Sequence, residues 1–211
     1  SVIIPVFNEI GSLPELVDQL KSVLEFMNEW EILFVDDGSS DGSTEFLTKL
    51  SENDENITLI QFHRNYGKSA ALAEGFKLAK GQYLITMDAD LQDDPEEFPN
   101  LIKKLEDGYD LVSGWKKNRM DPISKRYPSK LFNFVTRLMT GVKIHDFNCG
   151  LKIYRKAVVN SLDLYGGRHR YIPALAGHNK FRISEIVVNH RPRVHGVTKY
   201  GGSRLFHGFF D

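Results

Sequence analysis

The first 113 residues alternate short apolar runs with segments of helical period, and that alternation admits few folds. Residues 2–6, 32–35, 57–61, 83–87 and 110–113 have the length and branched apolar content of buried strands. Between the first two, Leu13, Leu16, Val17, Leu20, Leu24 and Met27 recur on one helical face. Ser12-Leu13-Pro14-Glu15 opens that helix with the form of a capping box and a proline in the first turn. Further helices are expected near 43–52, 68–79 and 95–107. Alternation of this kind predicts an α/β domain, a mostly parallel central sheet with helices on both faces. Ligands of such sheets bind beyond the carboxyl ends of the strands. Four polar loops fall there: Phe7-Asn8-Glu9, Asp36-Asp37-Gly38-Ser39, Arg64-Asn65-Tyr66-Gly67-Lys68 and the segment from Asp88 to Asp94.

Beyond residue 115 the pattern changes. A basic loop, 116–126, leads to a helix near 125–140 whose Leu131, Phe134, Val135, Leu138 and Met139 read as an amphipathic face. Then come Asp146-Phe147-Asn148-Cys149-Gly150, a strand near 151–154, a short helix, a loop rich in His and Arg, and a strand near 183–189. No repeat, low-complexity tract or linker divides the chain, so residues 1–211 are read as a single domain with halves 1–115 and 116–211. Charge separates those halves. Residues 1–100 carry 6 Lys/Arg against 20 Asp/Glu, whereas 101–211 carry 21 against 8 and six of the seven histidines. Two solvated faces of opposite sign account for part of this asymmetry. Its scale suits a metal on the acidic side and an anionic acceptor or a membrane surface on the basic side.

Cys149 is the only cysteine, so no intrachain disulfide forms and a reducing compartment is the default. It reads as a small buried residue, since no activating base for a thiolate is evident. No apolar run reaches the ~18 residues that cross a bilayer. The sequence opens inside a strand without Met and stops after Phe209-Phe210-Asp211. It is therefore expected to be a fragment, with membrane anchor segments outside it. Aromatics beside cations in Arg204-Leu205-Phe206-His207-Gly208-Phe209-Phe210 suit an interfacial helix, or equally a helix packed on the domain.

Asp88-Ala89-Asp90-Leu91-Gln92-Asp93-Asp94 follows a buried strand. Carboxylates at i and i+2 leaving such a strand can point into one small volume, and hard oxygen ligands placed this way suit Mg²⁺ or Mn²⁺ with substrate phosphates as further ligands. The competing reading is an acidic turn capping the next helix, because Asp93 and Asp94 precede Pro95-Glu96-Glu97. Asp36-Asp37-Gly38-Ser39-Ser40-Asp41-Gly42-Ser43 offers carboxylates to a ribose or a base, or an N-cap turn. The chain has neither a Gly-x-Gly-x-x-Gly dinucleotide turn nor a phosphate loop ending in Gly-Lys-Ser/Thr.

Together Pro5-Val6-Phe7-Asn8-Glu9, Val35-Asp36-Asp37-Gly38-Ser39, Asn65-Tyr66-Gly67-Lys68 and Asp88-Ala89-Asp90-Leu91-Gln92-Asp93 resemble a family 2 inverting glycosyltransferase of GT-A fold. Within that family the chain is similar to the dolichol-phosphate mannose synthase and bacterial polyprenyl-phosphate glycosyltransferase branch. Asp-x-Asp-Leu-Gln-Asp and Arg193-Val194-His195-Gly196-Val197-Thr198-Lys199 both match its patterns. The resemblance implies a UDP- or GDP-sugar donor, a polyprenyl phosphate acceptor, and action at the cytoplasmic face of a membrane. Donor contacts would come from Pro5, Phe7, Glu9, Asp36, Asp37, Lys68, Asp88 and Lys199. Asp88, Asp90 and Gln92 would hold Mg²⁺ or Mn²⁺. Arg126, Ser129 and Asn133 would lie near the acceptor phosphate, and Arg193 would bind a phosphate of acceptor or donor. Asp90, Arg126 and Arg193 are then the residues on which transfer depends most. The chain departs from the branch at Trp115-Lys116, where Ser-Arg is frequent and a lysine lacks the bidentate fork.

The acceptor follows from the chemistry. A sugar hydroxyl needs a general base, for which Asp146 is the candidate, with a turn-capping role as its alternative. A phosphate monoester, with a second pKa of about 6, is mostly dianionic at neutral pH and needs cations rather than a base. The basic half favours the phosphate. The rivals are a family 2 transferase acting on a glycan or other hydroxyl acceptor, and a binding module without turnover. A processive synthase is disfavoured because Gln-x-x-Arg-Trp is absent. Nucleic acid is not an expected partner, because no recognised motif accompanies the basic clusters. His169, His178 and His190 lack the spacing of a zinc site and are read as solvated or core side chains.

Overall fold

The computed structural model describes residues 1–117 and 123–192, with side chains throughout except at 123–128, 130 and 131. Seven strands form one sheet: β1 (Val2–Val6), β2 (Ile32–Asp36), β3 (Ile57–Gln61), β4 (Tyr83–Thr86), β5 (Leu111–Trp115), β6 (Lys152–Arg155) and β7 (Ile183–Val187). Their spatial order is β3-β2-β1-β4-β6-β5-β7. All neighbours are parallel except β6, which runs antiparallel to β4 and β5. The helices are α1 (Leu13–Leu24), α2 (Ser43–Asn53), α3 (Lys68–Leu78), α4 (Phe98–Glu106), α5 (Ile123–Thr140), α6 (Lys156–Asn160) and α7 (Ile172–His178).

Both faces of the sheet are covered, which is why its strands read as continuous apolar runs. Val2, Ile4 and Val6 of β1 pack with Leu13, Leu16 and Leu20 of α1, Leu47 of α2 and Leu101 of α4. Ile3 points the other way, into a second core with Leu72 and Phe76 of α3, Val158 of α6 and Ala176 of α7. The chain winds outward through β1, β2 and β3, then crosses back to place β4 on the far side of β1. That reversal makes the carboxyl ends of β1 and β4 the expected ligand crevice.

Pro5 helps to open this crevice. Prolines are disfavoured inside central strands because they donate no ladder bond. Pairing of β1 with β4 stops at Ile3↔Thr86, and Met87 N reaches only to Ile3 O. Pro5, two residues on, faces the same side after β4 has diverged, so its missing N–H costs no ladder bond. β6 then brings a later segment to the same place. Running antiparallel, it begins with Lys152 opposite Thr86 and Ser113, so residues 146–150 enter at the carboxyl ends of β4 and β5.

Two local expectations are corrected. Ser12 sits at the N-cap of α1 but makes no side-chain capping bond. Its hydroxyl instead donates to Ala89 O at 2.6 Å, tying the helix to the Asp88–Asp90 segment. In α5, Phe134, Leu138 and Met139 are 57%, 75% and 81% exposed. The helix turns Phe132, Asn133 and Thr136 inward, where Phe132 joins Ile144, Phe147 and Ala174 in a third small core.

Candidate active site

The loop after β4 is held from several sides. Asp88 N donates to Asp93 Oδ2 at 3.2 Å, and Gln92 N donates to Asp90 Oδ1 at 3.2 Å. Between them Leu91 adopts φ +62°, a left-handed conformation that costs a residue of this type about 1–3 kcal/mol. Its buried side chain lies in the main core and offsets that cost. Asp93 is fully buried, and its Oδ1 meets Lys116 Nζ at 2.7 Å. Gly150 closes the floor of the loop: a Cβ there would stand 2.7 Å from Asp88 Oδ2 and 2.8 Å from Asp93 Oδ2. Asp94 does cap the following turn, accepting from Glu96 N at 3.2 Å. It also takes Asn189 Nδ2 at 3.1 Å and Arg191 at 2.8 Å. Within the acidic run the capping role thus falls to Asp94.

Asp88 and Asp90, on one tight turn, fit a hard divalent cation. The Asp88 side chain keeps 36% of its exposure and pairs with Lys68. Desolvation pushes its carboxyl up, but Lys68, Lys116 and Lys152 outweigh that and hold it well below the usual carboxylate range. It therefore stays an anionic ligand. Gln92 Nε2 leans to Arg191 O at 3.5 Å. Among the described residues, no three His, Cys, Asp or Glu side chains form a complete metal cage. An ion here would complete its shell with substrate oxygens, as Mg²⁺ and Mn²⁺ do with phosphates.

The loops after β1, β2 and β3 interlock above the other side of the crevice. Asn8, at φ +54°, donates its N–H to Ser39 Oγ at 2.9 Å and accepts Ser40 N at 2.7 Å. Glu9 N donates to Ser43 Oγ at 3.1 Å. Asp36 is fully buried, accepting Ser39 N at 3.1 Å and the Thr44 hydroxyl. Asp37 accepts Tyr66 N at 2.6 Å and Gly67 N at 2.9 Å. Desolvation raises its carboxyl pKa against the pull of those two donors. Gly38, at φ +75°, lets this turn close on the next loop, since a Cβ would fall 2.6 Å from Arg64 C. Both carboxylates thus hold loops together, a task additional to the nucleotide contact expected of them. Pro5, Phe7, Glu9 and Lys68 stand at the same strand ends, each partly exposed.

From the second half, Asp146 is buried at the mouth of β6 and accepts Asn148 N at 3.1 Å, so the turn-capping role is present. Asn133 Oδ1 accepts Phe147 N at 3.2 Å, which fixes that loop on α5. Ser129 is partly exposed on the same helix. The side chain of Arg126, and all of Arg193 and Lys199, lie outside the described residues, as does the tail 200–210. Arg191 N donates to Gln92 O at 3.1 Å, so the segment leading to Arg193 runs along the Asp88–Asp94 loop.

Three groups carry more than the sequence indicated. Lys116, expected at a phosphate, instead has its amine buried against Asp93; burial opposes its charge, and Asp93 raises its pKa beyond the ordinary range. Lys152 is buried beside Cys149, donating to Cys149 O, with its amine pKa lowered by desolvation. His169 lies against the start of α3 rather than in solvent or core. Alternation on β6 could have pointed to Lys152, a lysine in an apolar strand. No local pattern marks the other two. Cys149 behaves as expected, with burial pushing its thiol up to about 12.

The family model for glycosyl transferase family 2 matches residues 1–163. The chain belongs to this family. It is 41% identical over its whole length to undecaprenyl-phosphate 4-deoxy-4-formamido-L-arabinose transferase of Pseudomonas syringae, covering 63% of that protein. It is 40% identical to the transferase of the same description from Salmonella choleraesuis, covering 65%. The chain thus spans just under two thirds of the length of these relatives. In fold it is similar to glucosyl-3-phosphoglycerate synthase of Mycobacterium tuberculosis, solved with Mn²⁺ and UDP-glucose. That match has a TM-score of 0.67 at 17% identity over 92% of this chain and 71% of the other. The mannosyltransferase of Pyrobaculum calidifontis, solved with GDP-Man and Mn²⁺, matches with a TM-score of 0.66 at 21% identity over 88% of this chain and 54% of the other. The family 2 chain therefore has the expected GT-A fold.

Proposed function

We propose that this family 2 chain is the catalytic domain of a metal-dependent inverting glycosyltransferase that moves a sugar from a UDP- or GDP-sugar to a polyprenyl phosphate. The observation that carries this reading is the Asp88–Gln92 turn, a hard-oxygen donor set held open at the sheet's switch point. The names of its 41% identical relatives support the lipid phosphate acceptor. Residues 1–115 take the donor and 116–211 the acceptor. Asp88, Asp90 and Gln92 hold Mg²⁺ or Mn²⁺, which neutralises charge developing on the leaving diphosphate. Lys68 supplies a second positive charge beside Asp88. The interlocked loops at Phe7, Asp37 and Tyr66 form the nucleoside end of the crevice, with Lys199 assigned to the donor. Arg126, Ser129, Asn133 and Arg193 position the acceptor phosphate, whose dianion attacks the anomeric carbon without surrendering a proton.

The reaction takes place at the cytoplasmic face of a membrane, where a soluble nucleotide-sugar meets a lipid phosphate. Among the described residues no helix is long and apolar enough to cross a membrane. The exposed Phe134, Leu138 and Met139 of α5 offer an apolar face suited to the lipid surface. The test is a donor survey with the full-length chain: UDP- and GDP-sugars, Mn²⁺, undecaprenyl phosphate in detergent and mass spectrometry of the lipid. A lipid one sugar heavier, absent with EDTA, is expected. Donor consumption that appears only with a hydroxyl acceptor and vanishes in Asp146→Asn would replace the lipid reading with the base-assisted one.

A further inference from the structure

His169 lies on a 3-10 turn, Arg168–Tyr171, that packs on the first turn of α3. The contact is specific. Ser69, 1% exposed, accepts the His169 backbone N–H at 3.1 Å, and its oxygen lies 2.9 Å from His169 Nδ1. A serine hydroxyl has one hydrogen to give. Its oxygen could accept a second hydrogen, but among the described residues Nδ1 is the only acceptor that the buried hydroxyl hydrogen reaches, so that hydrogen goes to Nδ1 and the ring carries its own proton on Nε2. Among the described residues Nε2 has no hydrogen-bond partner, and the ring is partly exposed.

The surroundings define what this N–H can meet. Ser69 follows Lys68, the partner of Asp88 in the metal turn. Desolvation, with Lys68, Arg170 and Lys152, pushes the imidazole pKa down to about 3 against the opposing effect of Asp88. The ring is therefore neutral at physiological pH. In the proposed function the phosphate oxygens of the donor would be matched by Lys68 and by a cation at Asp88 and Asp90. A neutral donor suits a neutral acceptor, and the group of a nucleotide-sugar that lies next to the diphosphate and carries such acceptors is the sugar.

We propose that His169, its tautomer fixed by Ser69, donates Nε2–H to an oxygen of the donor sugar and so helps to select that sugar. This deepens the proposed function and rests on it. The test measures binding, with the full-length chain and Mn²⁺, of UDP, GDP, UDP-glucose, UDP-N-acetylglucosamine and GDP-mannose by calorimetry. In His169→Ala the best-bound nucleotide-sugar should lose roughly five- to tenfold in affinity, the scale of one neutral hydrogen bond. The matching free nucleotide should change by less than about twofold on the same scale. His169→Gln, which restores an N–H donor, should recover part of the loss with an unchanged melting temperature, and Ser69→Ala should give an intermediate loss. Equal weakening of sugar-nucleotide and free nucleotide would make His169 a phosphate contact or a packing residue and overturn the inference. So would unchanged affinities, or a wild type that binds the nucleotide-sugars no better than the nucleotides. A wild type that binds no nucleotide at all would instead strike the proposed function, and this inference would fall with it.

Discussion

The two halves of the crevice share carboxylates that accept backbone N–H groups, but only one of them adds buried cations. On the β1–β3 side, each loop follows its strand directly, and carboxylates hold one loop to the next by accepting backbone N–H groups, as Asp37 does from Tyr66 and Gly67. On the β4–β6 side, backbone amides are joined by cations from the second half of the chain: Lys116 under Asp93, Lys152 at the start of β6, and Arg191 on Asp94. A carboxylate bound to backbone amides, as Asp37 is to the next loop, brings no second charge into the interior. A buried lysine–aspartate pair needs both elements, because either charge alone is costly in the interior. The Asp88–Asp94 turn therefore depends on the second half of the chain, while the loops after β1, β2 and β3 depend largely on the first.

That contrast can be broken in steps. The largest effect is expected on the metal turn itself. Asp90→Ala, which removes a proposed metal ligand, should lower transfer by about a hundred- to a thousandfold, with little change in melting temperature. Lys116→Met comes next. It strands Asp93, which is 0% exposed, and should cost about 3–5 kcal/mol in urea unfolding. Lys116→Met with Asp93→Leu should recover much of that stability but not the activity, because Asp88 N would still lose its acceptor. Gly150→Ala should destabilise by about 1–3 kcal/mol and weaken Mn²⁺ binding, since its Cβ meets the carboxylates of Asp88 and Asp93. Ser12→Ala, which leaves Ala89 O short of a donor, should cost about 1 kcal/mol.

The smallest effect concerns Cys149. Its folded thiol pKa, raised by burial to about 12, keeps it protonated and unreactive toward iodoacetamide at pH 8–9, until denaturant exposes it. Because the unfolded thiol ionises earlier, near about 8.5, stability falls as pH rises between the two values. Rapid alkylation of the native chain would show that the floor of the site opens.

Sequence alone exposed the strand–helix order, the loops at the strand ends and the acidic turn, because each is written in contiguous residues. It did not expose β6 as the antiparallel insert beside β4, since register across a sheet has no local signature. The partners of Lys116 and His169 were not legible for the same reason: Asp93 and Ser69 are distant in the chain. The apolar residues of α5 were legible as a pattern, but nothing in the pattern told which side faces the core. Phe132 and Thr136 turn inward instead of Phe134 and Leu138. Ser12 kept the position of a helix cap while its hydroxyl went to the metal turn.

The most direct test of the central claim is to offer the full-length chain two acceptors that differ only in the phosphate. Undecaprenyl phosphate and undecaprenol would each be incubated with the preferred nucleotide-sugar and Mn²⁺, and the lipids weighed by mass spectrometry. The account predicts a product one sugar heavier from the phosphate alone, retained in Asp146→Asn and lost in Asp90→Ala. Glycosylation of undecaprenol, abolished by Asp146→Asn, would contradict it and make Asp146 the base for a hydroxyl acceptor.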